Sequence, residues 1–328
     1  KRFSEDTKKI VQSAEAKVVT EIRQATLDFD EVIRRAKKIL ELDNPAEVNY
    51  KLNTLALQAG YRDQTALEKL IVDQLSFEEA KDIMSIKELM ETETEREYLI
   101  PDVLPHPSVV LIYGAGGDGK SMSAWALAKH IATGKPFVVR GNHVPVQKGP
   151  VVLLNGDQPL VQLKEQLQEV DFPITKDSMI QTDWQLQRYA QFIKLMKKHQ
   201  PKLVVIDSLI GCSGGRAFDE NKSDFATPLY WLTKNNGVLF PKATILIVHH
   251  ANKNGGFRGT SAIRDAVDET WALRKPTDEE RGVVGAHSRL ITIEKSRSGR
   301  MGPQLVMQMQ DDLSFTISDF TPEVDETN

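Results

Sequence analysis

The sequence predicts an α/β fold: a doubly wound, mainly parallel sheet with antiparallel strands at its C-terminal end, preceded by an all-helical N-terminal region. Three observations point there. Beyond Pro105, short continuous apolar runs alternate with helical stretches, the pattern of strands covered on both faces. Residues 1–100 instead carry charged and apolar residues at helical spacing, with a single glycine, Gly60. From Ser288 onward, apolar and polar residues alternate, as in antiparallel strands with one wet face.

The bulk numbers narrow the function classes. A chain of 328 residues with 40% hydrophobic and 27% charged residues is an ordinary globular protein with a core that needs no staples. Its one cysteine, Cys212, forms no internal disulfide, which fits a reducing, cytoplasmic setting. No apolar run approaches the roughly 18–20 residues of a membrane span, and no secretory signal is evident. The chain starts at Lys1 rather than Met, which reads as a fragment of a longer protein. A net charge of −4 argues against coating DNA through bulk charge. It leaves open a channel that concentrates a few basic residues on small loops.

Along the chain, residues 29–40 place apolar residues at helical spacing between charges, and Asn44-Pro45 and Ala59-Gly60-Tyr61 read as helix boundaries. Residues 1–92 are expected to form a helical accessory or linker region ending in a linker helix near 76–95. Residues 93–328 form the main domain. Its parallel strands are expected at 109–113, 151–154, 203–206 and 243–248, and its antiparallel edge strands at 289–293, 304–309 and 313–317. No internal repeat is visible.

The chemistry starts at Gly114-Ala115-Gly116-Gly117-Asp118-Gly119-Lys120-Ser121, a G-x-x-x-x-G-K-[ST] loop between an apolar strand and a helix. Gly114, Gly116, Gly117, Asp118 and Gly119 shape a loop whose N–H groups point at phosphate, and the helix start at Lys120, Ser121 and Met122 adds a favourable dipole. Lys120 should reach the β- and γ-phosphates of ATP, and the Ser121 hydroxyl should ligate Mg²⁺. Asp207, closing the run Leu203-Val204-Val205-Ile206, would hold Mg²⁺ through water. Asp157, in Asn155-Gly156-Asp157-Gln158-Pro159, is the carboxylate placed to orient the attacking water. Alternatively it caps the helix that Pro159 opens.

These segments resemble the RecA-like ATPases of the hexameric replicative helicase type, with the plasmid RepA-like helicases nearer and the DnaB type more distant. The lead-in residues 98–105 are similar to that family's approach to the loop. Gly156-Asp157-Gln158-Pro159 is similar to the segment whose acidic residue, usually Glu, activates water. His249-His250 resembles the sensor strand, with His250 the first choice and His249 the reserve. Residues 257–268 resemble the channel-facing loop, in which Arg258 and the N–H groups of Gly259 and Thr260 would meet the DNA backbone. Lys295-Ser296-Arg297 is similar to a Lys-x-Arg-x-Gly segment that reaches the neighbouring subunit's ATP, making Arg297 an arginine finger and Lys295 its companion.

The resemblance implies a DNA-binding hydrolase in plasmid or phage DNA replication. It would be a helicase that uses ATP and Mg²⁺, forms a ring, most simply a hexamer of itself, and moves on single-stranded DNA, with a primase domain or partner compatible with it. The glycine-rich loop 211–222 is a second candidate for the channel wall. A recombination or repair ATPase of the same fold, and a regulatory hexameric ATPase that binds proteins, remain alternatives.

Overall fold

The computed structural model describes residues 27–42, 44–78, 84–92, 95–156, 158–214, 219–285, 287–299, 302, 304–310 and 315–320. They divide into two units, the first taking in the residues up to 81 together with Tyr189–Gln191, the second the rest. In the first, α1 (Phe29–Leu40) buries Val32, Ile33 and Ala36 along one stripe. Helix α2 (Pro45–Gln58) starts where the Asn44 side chain accepts the N–H groups of Ala46 and Glu47, with Pro45 in the first turn. With α3 (Gln64–Glu78) these helices share a core of Leu52, Leu55, Ala56, Leu67 and Ile71.

The second unit opens with α4 (Ile86–Glu91), which a Ser85–Glu88 capping box starts afresh. The linker helix expected over 76–95 is therefore this short helix and the end of α3, with residues 79–83 outside the described residues. A hairpin of β1 (Glu97–Ile100) and β2 (Leu104–His106) leads into β3 (Ser108–Gly114), buried throughout. Next come α5 (Lys120–Thr133), β4 (Phe137–Val139), β5 (Asn142–Val144), β6 (Val151–Asn155), α6 (Leu160–Glu169) and β7 (Ser178–Gln181). They are followed by α7 (Tyr189–His199), β8 (Leu203–Asp207), α8 (Thr227–Asn235), β9 (Thr244–His250), α9 (Ser261–Ala266) and β10 (Glu269–Arg274). The chain closes with α10 (Asp278–Val284), β11 (Ser288–Ser296), β12 (Leu305–Met309) and β13 (Phe315–Asp319).

Among the described residues the main sheet has eleven strands in the order β5-β4-β13-β12-β11-β10-β3-β9-β8-β6-β7. From β10 to β7 the pairing is parallel, and β10 through β13 are joined antiparallel. The expected class holds: a large, mostly parallel sheet, antiparallel strands at the C-terminus and helices at the N-terminus. One expectation needs correcting. The tail strands are not the edge, because β4 pairs parallel to β13 and β5 closes the sheet beyond it. At three residues each, β4 and β5 are too short to show a period.

Register positions the site. Gly114 lies opposite His250, Asp207 opposite Val248, and Asn155 opposite Asp207. The carboxyl ends of β3, β9, β8 and β6 therefore line up at one margin of the sheet, where α/β proteins bind ligands. Ile112, Val248 and Val205 pack in one core with Ala124, Trp125, Leu127 and Ile131 of α5. Side chains two apart on a strand share a face, so Asp207 and His250 face the layer of α5.

Candidate nucleotide site

The loop between β3 and α5 has the geometry of a phosphate cradle. Gly119 precedes α5 at φ 85°, a left-handed conformation that glycine adopts without strain. The carboxylate of Asp118 accepts the N–H of Ala115 at 2.9 Å, closing the loop on itself. Lys120 is buried, and its Nζ donates to the carbonyls of Gly114 at 3.0 Å and Ala115 at 2.7 Å. Burial lowers the pKa of Lys120, while the charges of Asp118 and Asp207 pull it back up. Lys120 thus sits in the field of the carboxylate at the end of β8. Ser121 and Met122 form the first turn of α5, both half-buried, with Met122 packed against the core.

Ser121 and Asp207 fit Mg²⁺ by chemistry. They offer a hydroxyl and a buried carboxylate, hard oxygen donors at the mouth of a phosphate cradle. Among the described residues no three or more His, Cys, Asp or Glu side chains are placed to hold a metal ion by themselves. A metal here would therefore complete its shell with phosphate and water, as Mg²⁺ does.

The turn after β6 is built by close approach. A Cβ on Gly156 would lie 2.3 Å from the carbonyl carbon of Gly211, so only glycine fits. The N–H of Gly156 donates to the Asp207 carbonyl at 3.1 Å. Asn155, buried, braces the turn with bonds to both the carbonyl and the N–H of Gln158. Asp157 lies outside the described residues.

The two histidines part company. His250 faces α5 with Asp207. His249 points to the opposite face, fully buried, with its ring 5.5 Å from that of Phe257. Burial pushes the His249 pKa down to about 4. Its Nε2 lies 2.8 Å from the carbonyl of Arg258, which can only accept, so the neutral ring donates from Nε2. His249 thus ties the sensor-strand end to the following loop.

The family model of the AAA domain matches residues 74–256, more than half of the chain. The chain belongs to this family of P-loop ATPases. The comparison with curated proteins gives no match. The match takes in the phosphate loop, the Asp157 turn, Asp207 and His250, and it ends before the basic residues Arg258, Lys295 and Arg297. No helix among the described residues is long and apolar enough to cross a membrane.

Three of those basic residues already have work within the chain. Arg258, half-exposed, forms an ion pair with Glu220 at 2.5 Å. The N–H of Thr260 donates to the Glu220 carbonyl at 2.9 Å, and its hydroxyl caps α9. Thr260 N–H is therefore not the open phosphate donor expected of it. A Cβ on Gly259 would lie 2.8 Å from the same carbonyl. Lys295 differs most from expectation. Its Nζ donates to the carbonyls of Arg264 at 2.6 Å, Asp265 at 3.0 Å and Val267 at 2.7 Å. An ammonium has three protons, and here all three close the C-terminal end of α9. Arg297 is half-exposed, pairs with Asp268 at 3.2 Å and donates to the Asp265 carbonyl at 3.1 Å.

Glycine-rich loop 211–222 splits as well. Cys212 and Ser213 are buried, residues 215–218 lie outside the described residues, and Glu220 receives Arg258.

Two residues of this margin escape sequence reasoning. Asn155 was read only as part of a turn. Arg289 enters the sequence analysis only as the first residue of an expected edge strand, yet its Nε donates to the carbonyl of Asp118 in the phosphate loop. No local pattern marks a contact made across 171 residues.

Proposed function

We propose that this AAA domain works as a ring-forming, ATP-driven motor of the helicase type, moving on single-stranded DNA with ATP bound between adjacent copies. One observation carries the reading. Strand β11 starts at the phosphate loop, where Arg289 touches Asp118, and ends at the opposite margin of the sheet. Arg297 follows that end, and its N–H donates to the carbonyl of Asp268, whose own N–H donates to Val109 at the start of β3. Eight residues at about 3.4 Å each separate Arg289 from Arg297, far beyond the reach of a side chain. Arg297 therefore has no route to the phosphates of its own chain. As an arginine finger it would serve a neighbour, and each site would need two copies.

In this reading Lys120 and the loop N–H groups hold the phosphates, and Ser121 and Asp207 would hold Mg²⁺, which supplies charge neutralisation between the β- and γ-phosphates. Asp157 orients the attacking water, and His250 senses the γ-phosphate. Because His249 holds the Arg258 carbonyl, movement of the strand end at His250 would be passed to the loop. The guanidinium of Arg258 exchanges Glu220 for a DNA phosphate.

Arg258→Ala is expected to weaken single-strand binding and to lower the slope of log affinity against log salt by roughly 0.7, the share of one phosphate contact. Base preference is expected to stay the same. A salt titration with an unaltered slope would show that the loop does not face nucleic acid.

The reading as a whole is tested by ATP turnover with and without single-stranded DNA, alongside the mass of the assembly. Stimulation and a ring-sized mass are expected. Turnover indifferent to DNA favours a regulatory ATPase that binds proteins. Strand exchange without displacement of a forked duplex favours a recombination ATPase.

A further inference from the structure

Arg289 stands at the phosphate loop with no part in the scheme above. It is half-buried at the start of β11, and burial lowers the pKa of its guanidinium while Asp118 pulls it up. Its Nε donates to the Asp118 carbonyl, and its Nη1 donates to the Ser288 carbonyl at 2.8 Å. The second bond fixes the guanidinium to its own strand, so the first acts as a rigid brace from the sheet to the loop. The guanidinium also backs Gly119, where a Cβ would lie 3.3 Å from Nε.

The peptide group joining Asp118 to Gly119 is planar, and in a trans peptide C=O and N–H point in opposite directions. Holding the Asp118 carbonyl toward Arg289 therefore turns the Gly119 N–H away from it. Gly119 sits at φ 85°, where the backbone has few side-chain restraints and the peptide can rotate at small cost. The Asp118 carboxylate restrains the loop only further back, at Ala115. The neighbouring bonds, from the Asp118 N–H to the Ala115 carbonyl and from the Ser123 N–H to the Gly119 carbonyl, hold the peptides on either side, and the guanidinium holds the Asp118 carbonyl itself.

We infer that Arg289 is a positioning residue for phosphate binding: it sets the Asp118–Gly119 peptide so that the Gly119 N–H serves the phosphate cradle. The inference rests on the nucleotide-site reading and extends it to a residue outside the loop motif. The cradle N–H groups address the α- and β-phosphates and Lys120 the β- and γ-phosphates; in this proposal the Gly119 N–H, adjacent to Lys120, serves the β-phosphate, so the effect belongs to ligands that carry one. ATP and ADP should feel it alike, and AMP should not.

The test is equilibrium binding of ATP, ADP and AMP to the full chain. Arg289→Ala is expected to weaken ATP and ADP by roughly tenfold each, the scale of one charge-assisted hydrogen bond, and to leave AMP unchanged. Arg289→Gln retains an N–H donor and the packing of β11, and it is expected to recover most of the loss. Unchanged ATP and ADP affinity in folded Arg289→Ala overturns the inference. So does an equal weakening of AMP, which would mark a base contact or general damage, and so does a Gln variant as weak as the Ala one. Lys120→Ala separates the two layers. If it also leaves ATP and ADP binding unchanged, the nucleotide-site reading is at fault. If it weakens both while Arg289→Ala does not, only the role of Arg289 falls.

Discussion

Replacing Lys120 with alanine is expected to abolish ATP hydrolysis in a protein that still folds. The ammonium would stabilise charge on the transferring phosphoryl group inside a water-poor cradle, where such a contact is worth far more than in water. Removing one such group costs on the order of 10²–10³ in rate. The fold should persist because α5 is held by Ala124, Trp125, Leu127, Ala128 and Ile131 in the core, not by Lys120. Its bonds go to the carbonyls of Gly114 and Ala115, and each carbonyl keeps a second donor without it, the N–H of Ala251 at 2.8 Å and the N–H of Asp118 at 3.3 Å. Turnover assays paired with thermal unfolding check both halves. Near-wild-type turnover in a folded variant would remove Lys120 from the chemistry.

A larger effect is expected at Arg297. An arginine finger is worth about 10³–10⁵ in rate, so Arg297→Ala should assemble, bind ATP and turn over very slowly. The structural cost should be small. The pair with Asp268 is half-exposed, and exposed pairs are worth about 0–1 kcal/mol. Asp268 also keeps its bond to the N–H of Val109 at 2.8 Å. Lys295→Ala should behave differently. Losing the donor to three carbonyls at the end of α9 should lower the unfolding temperature, because the partly buried carbonyls of Arg264 and Val267 lose their partner. The two residues of one short motif thus separate into a candidate catalytic group and a support for it.

How far this could be seen in the sequence depends on the range of the signal. The phosphate loop is local, and the strand before it and the helix after it appear where Val109-Val110-Leu111-Ile112-Tyr113 and Met122 onward place them. The long apolar runs that become β6, β8 and β9 were visible for the same reason. Strand β10 was not. Its residues Glu269-Thr270-Trp271-Ala272-Leu273-Arg274 mix charge with apolar side chains, and its buried Glu269 is satisfied by Trp271 Nε1 at 2.9 Å and Ser296 Oγ at 2.9 Å. Burial of a carboxylate through partners across the sheet leaves no pattern in the strand itself. The choice between His249 and His250 needed strand register, which composition does not carry. Lys295 and Arg289 each act through carbonyls about 30 and 171 residues away, so their roles belong to the tertiary structure alone.

Shared sites are the central claim, and mixing two inactive proteins tests it most directly. Arg297→Ala keeps Lys120, and Lys120→Ala keeps Arg297. Where the first supplies the phosphate loop and the second the finger, one complete site returns. Co-expression with two different tags and purification through both guarantees mixed assemblies. The account predicts ATP turnover in the mixed protein well above that of either parent. A folded, assembled Arg297→Ala protein that hydrolyses ATP at the wild-type rate by itself would contradict it and make this segment an ordinary basic hairpin.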